Sequence, residues 1–270
     1  MTLLTDRVDD DFLDAAPNLR IVANVAVGYD NIDVAACAAR GVVVTNTPGV
    51  LTDATADLTL ALLLAVTRRV GEGERLIRSG TPWSWGMFMM LGRGLRGRRL
   101  GIVGMGAIGT AVAERARAFG MRIAYHNRSA VDPAIAERLE VERLGLDELF
   151  ATSDVVSLHC PHTPETHHLV DADRLASMRS DAYLVNTARG PVVDEAALVD
   201  ALAAGRIAGA ALDVYENEPE VYPGLLDRDD VVLLPHLGSA TIETRDAMSD
   251  LAARNVVAVL GGDAPVTAVA

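Results

Sequence analysis

The chain has 270 residues, which is long enough to bury one large core or two smaller ones. Half of the residues are hydrophobic, which argues against an intrinsically disordered chain, and the net charge of −13 argues against non-specific binding to nucleic acid. All 24 basic residues are arginines, which excludes enzyme classes that need a lysine, such as Schiff-base enzymes, pyridoxal-phosphate enzymes and Walker-type nucleotide-binding proteins.

The sequence contains no signal for a membrane or for secretion. Its apolar runs, of which residues 58–66 are an example, are too short to cross a bilayer. The acidic N-terminus lacks the apolar core of a signal peptide, and there are only two cysteines, Cys37 and Cys160. We therefore expect a cytoplasmic protein without disulfides, and no metal site is predicted.

The first part of the chain contains two strand-like runs, 19–24 and 42–45. They flank a predicted helix at 33–40, and a long helical pattern starts after Thr52. Two strands with their helices are too little for an independent domain. This part is therefore expected either to pack on the rest of the chain or to lack a piece.

From residue 100 onward, apolar strand-like runs alternate with helical patterns, which predicts an α/β fold with a doubly wound parallel sheet of the Rossmann type. The six runs are short, and they lie at 100–103, 121–125, 154–159, 182–186, 208–214 and 231–234. A last helix is predicted from Thr241 to Leu260. Ligands of such sheets bind at the carboxyl ends of the strands.

The first of these strands runs into a glycine-rich turn that precedes a helical pattern. In this order Gly104 permits a tight turn, Gly106 lets a pyrophosphate approach the backbone, and Gly109 lets the helix pack on the strand. The free amides at the start of the helix attract phosphate, and they include those of Ala107 and Ile108. The segment therefore predicts a dinucleotide-binding turn, with an ordinary glycine turn in an α/β core as the alternative.

Three ionisable residues, Arg189, Glu218 and His236, follow predicted strands on the ligand-binding edge of the sheet. Each alone has an ordinary explanation, as a surface cap, a solvated loop residue or a buried histidine. Together they suit hydride transfer to a 2-keto acid, because a guanidinium binds a carboxylate bidentately and a histidinium can protonate the carbonyl oxygen. A carboxylate beside a histidine favours the charged form of the ring.

At this point the chain resembles the D-isomer-specific 2-hydroxyacid dehydrogenase family over essentially its whole length. Besides the glycine turn, the segments that keep the order and spacing of the family are 27–33, 160–164, 186–190, 212–214 with 218–219, and 235–239. Within the family, residues 48–53 and the segment with Trp83 and Trp85 look most like the glyoxylate/hydroxypyruvate reductases.

The resemblance implies a role for each site residue. Arg189 is expected to hold the substrate carboxylate, Glu218 to be the charge partner of His236, and His236 to be the acid/base. Asp213 is expected to hold the nicotinamide carboxamide. The other expected substrate contacts are the backbone N–H groups of Val27 and Gly28, and Ser239. The other expected cofactor contacts are Cys160, Pro161, Thr187 and Gly238.

The cofactor preference depends on the loop after the second Rossmann strand. An NAD-preferring fold places a carboxylate there, about 20 residues after the glycines, to bind the ribose 2′-hydroxyl. This chain has Asn127, Arg128 and Ser129 instead, so no carboxylate of this loop repels a 2′-phosphate. We therefore predict that NADP(H) is preferred and NAD(H) is possible. Stacking of Arg128 on adenine without discrimination is the alternative.

The resemblance also implies how the chain is divided. Residues 1–75 and the C-terminal helix 242–270 are expected to form a smaller, flavodoxin-like substrate domain, and residues 76–241 the dinucleotide-binding domain. Family members begin earlier than the point that matches Met1, so the substrate domain is expected to be truncated at its N-terminus, with an unpaired sheet edge.

A homodimer is expected from the same resemblance, formed by the helix after Thr52 and by the tryptophan arm. Trp83 or Trp85 would then help to close the active site of the second subunit. Simple packing of the arm is an equal alternative.

The predicted function is NAD(P)H-dependent reduction of a small 2-keto acid, glyoxylate or hydroxypyruvate, to the D-2-hydroxy acid. A 2-ketogluconate-type reductase of the same family remains open, as does an inactive paralogue. Formate oxidation fits poorly, because that branch has glutamine where Glu218 stands. A non-catalytic, nucleotide-sensing protein like the corepressors of this fold keeps the same three ionisable residues, but the lack of tails, linkers and basic patches favours the enzyme.

Overall fold

The computed structural model describes residues 1–269, which form two compact units. Unit 1 comprises Met1–Ala54 and the segment from Ser239 onward, and unit 2 comprises Thr55–Gly238. In chain order the helices are α1 (Asp10–Asp14), α2 (Val34–Ala39), α3 (Thr52–Thr67), α4 (Val70–Arg78), α5 (Ala107–Ala118), α6 (Pro133–Leu139), α7 (Leu146–Thr152), α8 (Ala172–Ser177), α9 (Glu195–Ala203), α10 (Pro223–Leu226) and α11 (Ile242–Gly261). The strands are β1 (Ile21–Ala23), β2 (Val43–Thr45), β3 (Arg99–Val103), β4 (Arg122–His126), β5 (Glu142–Arg143), β6 (Val155–Leu158), β7 (Tyr183–Asn186), β8 (Gly209–Leu212) and β9 (Val231–Leu233).

Unit 2 contains a seven-stranded, entirely parallel sheet in the order β5-β4-β3-β6-β7-β8-β9. The order reverses between β3 and β6, which is the switch point at which doubly wound sheets bind their ligands. This topology confirms the predicted Rossmann fold, and six of the strands overlap the predicted runs. Strand β5 is not among the predicted strands, because it consists of two exposed polar residues and gives no apolar signal in the sequence.

The sheet of unit 2 is buried on both faces. One face packs around Phe150, Leu158 and Leu184, and the other around Leu100 and Ile102. The second face also includes apolar residues of α3, namely Leu60, Leu62, Leu63 and Val66. Because α3 completes this core, the structure divides the chain at Ala54 and Thr55, ahead of the expected boundary at 75/76. The second division, at Gly238 and Ser239, lies close to the expected one at 241/242.

Unit 1 has a two-stranded parallel sheet, in which Ile21 of β1 pairs with Val43 of β2. One face packs on α2, and the other packs on α11 through Ala252 and Val259. Helix α11 agrees with the predicted helix from Thr241 to Leu260. It ends at Gly261 because Gly262 takes a left-handed conformation that closes the helix, so the described residues after it in the expected segment 242–270 are not helical.

Two further observations concern residues 1–269 as a whole. None of their helices combines the length and the apolarity that crossing a bilayer requires. They also contain no group of three or more His, Cys, Asp or Glu side chains arranged to hold a metal ion.

Candidate active site

The predicted cofactor residues and the three predicted catalytic residues all belong to unit 2, where they follow the carboxyl ends of the sheet strands. Three predicted substrate residues, Val27, Gly28 and Ser239, belong to unit 1. The geometry of each group is described within its own unit.

The turn between β3 and α5 requires glycine at two of its positions. Gly104 has a φ of +94°, and a Cβ there would lie 2.5 Å from the backbone nitrogen of Cys160. A Cβ at Gly109 would lie 2.5 Å from the carbonyl oxygen of Gly104. The absence of a side chain at Gly104 therefore lets the end of β3 lie close to the residues after β6. The absence of one at Gly109 lets α5 pack against the turn.

Gly106 differs, because a Cβ at this position would meet nothing within 4 Å. It is the N-cap of α5 and supplies no side-chain cap, so the first amides of the helix remain available for a ligand. Gly106 and Ala107 are exposed. An open glycine at a helix N-terminus fits the pyrophosphate of a dinucleotide, which needs close backbone approach and donor groups.

Asn127 pairs with the backbone of the glycine turn. Its Oδ1 accepts from the N–H of Met105 at 2.6 Å, and its Nδ2 donates to the carbonyl of the same residue at 3.2 Å. The sequence predicts a direct contact of Asn127 with the cofactor. In the structure its side chain is used to hold the turn that would bind the phosphates.

Arg128 and Ser129 are exposed directly after Asn127, at the end of β4. Their loop is fixed by Arg143 of β5, whose guanidinium donates to the carbonyls of Asn127 and Arg128 at 3.1 and 3.0 Å. The carboxyl of Glu165 lies close enough to Arg128 for their charges to interact. The hydroxyl of Thr163 lowers the pKa of this carboxyl, and the positive charge of Arg128 also lowers it. Arg143 is not among the residues predicted from the sequence, because its strand, β5, has no apolar signal.

The residues beneath the glycine turn are neutral. Burial raises the pKa of the Cys160 thiol to about 11 and lowers the pKa of the His159 imidazole to about 4. At neutral pH the thiol is therefore protonated and the imidazole uncharged. Cys160 consequently has no character of a nucleophile, and its contact with the cofactor stays a prediction.

Glu218 and His236 form a hydrogen-bonded pair. Nδ1 of His236 lies 2.7 Å from Oε2 of Glu218, while Oε1 of the carboxylate accepts from the backbone N–H of Tyr215 at 3.1 Å. Burial raises the pKa of Glu218, but the hydrogen bond and charge of His236 outweigh this effect and hold the pKa below its usual value. The carboxylate is therefore ionised at neutral pH, as a partner of an imidazolium must be.

His236 has a φ of +54°, which is unusual for a residue with a side chain. The loop that imposes this conformation is held by Asp213, which is almost completely buried. The carbonyl of Asp213 accepts from the N–H of His236 at 2.8 Å. Its carboxylate oxygens accept from the N–H groups of Leu237 and Gly238 at 2.6 and 2.8 Å. Asp213, which is predicted to contact the nicotinamide, therefore also fixes the loop that carries His236.

Arg189 lies in the loop after β7 and donates through Nη1 to the carbonyl of Ala188 at 2.8 Å. The loop is closed by Asn186, which donates to the carbonyl of Arg189 at 2.9 Å and accepts from the N–H of Ala188 at 3.0 Å. The hydroxyl of Thr187 lies 2.9 Å from that of Thr59 on α3. Helix α3 thereby contacts the edge of the site, which the sequence analysis did not anticipate.

A family model described as the NAD binding domain of D-isomer specific 2-hydroxyacid dehydrogenases matches residues 60–238. The chain is 50% identical over 270 residues to a glyoxylate reductase from Thermococcus litoralis, covering 98% of this chain and 81% of the relative. It is 52% identical over 270 residues to a glyoxylate reductase from Aeropyrum pernix, covering 98% and 80% of the two chains.

Among solved structures, a similar fold occurs in the NADPH-dependent glyoxylate/hydroxypyruvate reductase from Sinorhizobium meliloti, whose crystals contained NADP and malonate. The TM-score is 0.89 at 42% identity, and the match covers 98% of this chain and 82% of the other. The family and its relatives thus match the chain across both units.

Proposed function

The chain belongs to the D-isomer-specific 2-hydroxyacid dehydrogenase family, and from this premise we propose that it reduces glyoxylate and hydroxypyruvate, with a preference for NADPH. As a member of the family it is an oxidoreductase that uses a nicotinamide dinucleotide. The observation that carries the proposal is the hydrogen-bonded pair of Glu218 and His236, at the strand ends of the same sheet that bears the glycine turn.

In the proposed mechanism His236 delivers the proton. Its Nδ1 faces Glu218, which leaves Nε2 for the carbonyl oxygen of the substrate. Glu218 stabilises the imidazolium and fixes its orientation until the proton moves to the oxygen. A bound nicotinamide would supply the hydride for the carbonyl carbon. One proton and one hydride together convert the keto acid into the 2-hydroxy acid.

Arg189 is proposed to bind the substrate carboxylate. A guanidinium offers two parallel N–H donors to the two carboxylate oxygens, which fixes both the position and the rotation of the substrate. The backbone N–H groups of Val27 and Gly28, in unit 1, are proposed as donors to a carboxylate.

The preference for NADPH is proposed from the loop after β4. Arg128 and Ser129 are exposed there, and Arg143 holds the backbone that carries them. A guanidinium and a hydroxyl suit a 2′-phosphate, which would be repelled by a carboxylate in the same loop. The relative from Sinorhizobium meliloti, described as NADPH-dependent, supports the same preference.

A homodimer is proposed from the apolar segment after α4. Five large apolar residues of this segment are each more than half exposed, and they are Trp83, Trp85, Met87, Phe88 and Leu91. Large exposed apolar side chains that follow one another so closely in one segment are typical of a protein–protein interface. The double variant Trp85→Ser/Phe88→Ser should therefore shift the mass measured by light scattering from dimer to monomer. Val257→Ser, at an exposed apolar position of α11, is the control and should leave the mass unchanged.

The activity is tested by following the absorbance of NADPH with glyoxylate, hydroxypyruvate and 2-ketogluconate. We expect turnover with the first two and a His236→Gln variant that binds NADPH without turning over. His167→Gln, at an exposed histidine outside the site, should retain the wild-type rate. Turnover with 2-ketogluconate alone would replace the proposed substrate, and binding of NADPH without any turnover would favour a nucleotide-sensing protein.

A further inference from the structure

We propose that Thr55 and Thr59 are positioning residues, through which helix α3 fixes the loop of Arg189 and the loop of His236. The inference rests on the proposed function, in which these two loops supply the guanidinium for the substrate carboxylate and the proton donor. It concerns hydrogen bonds made by buried threonine hydroxyls, and every residue in it belongs to unit 2.

Thr59 anchors the loop that follows β7. It is completely buried, and its hydroxyl donates to the carbonyl of Thr55 at 2.8 Å, one turn earlier in the helix. A hydroxyl has a single hydrogen, so the 2.9 Å bond between Thr59 and Thr187 must be donated by Thr187. The oxygen of Thr59 is therefore the acceptor that holds Thr187, two residues before Arg189.

Thr55 anchors the loop that follows β9. Its hydroxyl donates to the carbonyl of Gly238 at 3.0 Å, while the N–H of Gly238 donates to Oδ2 of Asp213 at 2.8 Å. A Cβ at Gly238 would lie 3.5 Å from Oγ1 of Thr55 and 3.4 Å from Oδ2 of Asp213, so this glycine is packed between the two side chains. Both polar backbone groups of Gly238 are thus fixed, two residues after His236.

The two threonines are about one helical turn apart, so a rigid helix sets the distance between the two loops. Thr55, Thr59 and Thr187 are all buried, and a buried hydroxyl without a partner is costly, which keeps these bonds in place in the folded protein. Valine has nearly the same shape as threonine and would pack in this core without a hydroxyl to desolvate. What the hydroxyls add to packing is their bonds to the two loops.

Thr59→Val and Thr55→Val are the direct tests, because each removes one anchor and keeps the shape of the side chain. Thr67→Val is the matched control. Thr67 is also buried in α3, and its hydroxyl donates to the carbonyl of Leu63 at 2.7 Å, so its single hydrogen is used within the helix. Thr59→Ser and Thr55→Ser keep the hydroxyl and are the rescue variants.

The first readout is hydrogen exchange of the protein without ligands, measured by mass spectrometry. Thr59→Val should raise the exchange rate of residues 186–190, and Thr55→Val that of residues 236–238. Each rise should be about fivefold or more, since each loop loses one hydrogen bond. Thr67→Val and the two serine variants should exchange like the wild type in both segments.

The second readout is the kinetics with NADPH and glyoxylate. Thr59→Val should raise the KM for glyoxylate about fivefold with a smaller change in kcat, because its loop carries the guanidinium for the substrate carboxylate. Thr55→Val should lower kcat about fivefold with a smaller change in KM, because its loop carries the proton donor. A general loss of stability would not divide the two constants between the two variants in this way.

Unchanged exchange in both loops, an equal rise in Thr67→Val, or serine variants that do not restore the wild-type values would overturn the inference. A rise in both loops for each valine variant would also overturn it, because that result indicates a general loosening of α3. If the wild type does not reduce glyoxylate, the proposed function fails, and the exchange measurement decides the inference alone. If one valine variant does not fold, the other and its serine counterpart carry the comparison.

Discussion

The hydroxyl of Tyr215 donates a hydrogen bond to the backbone carbonyl of Leu234 at 2.8 Å, two residues before His236. The backbone N–H of the same tyrosine donates to Glu218. Tyr215 is buried, and its two hydrogen bonds brace both the segment before His236 and the carboxylate of Glu218.

Replacing Tyr215 with Phe keeps the apolar ring and removes only the hydroxyl. A single hydrogen bond of this kind contributes about 1 kcal/mol, so kcat should fall by roughly fivefold as the histidine loop loses one anchor. The KM for NADPH should stay the same, since the glycine turn is unaffected. Steady-state kinetics with both substrates measures the two effects separately.

Tyr183→Phe provides the control, because Tyr183 is also buried on the sheet but lies at the opposite, amino end of β7. It should leave kcat unchanged. Equal losses in the two variants would mean that the effect of Tyr215 is one of general stability rather than of positioning.

The contrast between these tyrosines shows what the sequence can and cannot reveal. The strands of unit 2 were predictable because they are apolar runs, and the edge that carries Arg189, Asp213 and His236 follows from parallel topology alone. The bracing role of Tyr215 was not predictable, because it depends on a hydrogen bond to the carbonyl of Leu234, which follows another strand, β9. Backbone partners of this kind leave no pattern in the sequence.

Other differences between the predicted and the observed structure also come from contacts between segments that are distant in the chain. The side chains of Asn127 and Arg143 hydrogen-bond to backbone atoms of the loops that are predicted to bind the cofactor. Contacts of this kind leave no motif in the sequence. Helix α3 belongs to unit 2 because its apolar side chains complete the core of the sheet. A helical pattern shows that such a helix exists, but it does not show which core the helix joins.

Glu218→Gln should change stability in a manner that depends on pH. The folded state lowers the pKa of Glu218, so its charged form contributes stability above the unfolded value of about 4.3, and this contribution is lost as the pH falls through the folded value. The variant should therefore melt below the wild type at pH 7, and the gap should stay open down to the unfolded value and narrow only as the pH is lowered below about 4. Calorimetric melting temperatures at several pH values give the comparison.

The control for this experiment is Glu220→Gln, an exposed carboxylate in the same loop. Its melting temperature should follow that of the wild type at every pH. A gap for Glu218→Gln that stays constant with pH would contradict the assignment of its carboxylate to the ion pair with His236.

Arg128→Asp should reverse the cofactor preference. The change removes the cation proposed to bind a 2′-phosphate and introduces a carboxylate that suits a free 2′-hydroxyl. The ratio of kcat/KM for NADPH to that for NADH should fall by about a hundredfold, given the loss of one charge-assisted contact and the added repulsion. Arg122→Asp, an exposed arginine at the other end of β4, makes the same charge change and should leave the ratio unaltered. A ratio that is insensitive to Arg128→Asp would indicate stacking on adenine instead.

Two glycines of the same turn should fail in different ways. Gly106→Ala introduces a Cβ into open space at a φ of −87°, which an alanine tolerates, so the fold and the melting temperature should be retained. NADPH must approach the backbone at this position, and its Kd, measured by fluorescence, should rise at least about tenfold. Gly104→Ala places a Cβ at a φ of +94° and 2.5 Å from the backbone of Cys160, so it should destabilise the fold by about 2 kcal/mol or more. Equal melting temperatures for the two variants would contradict the structural role of Gly104. Unimpaired NADPH binding by Gly106→Ala would contradict the role of Gly106 in the approach of the cofactor.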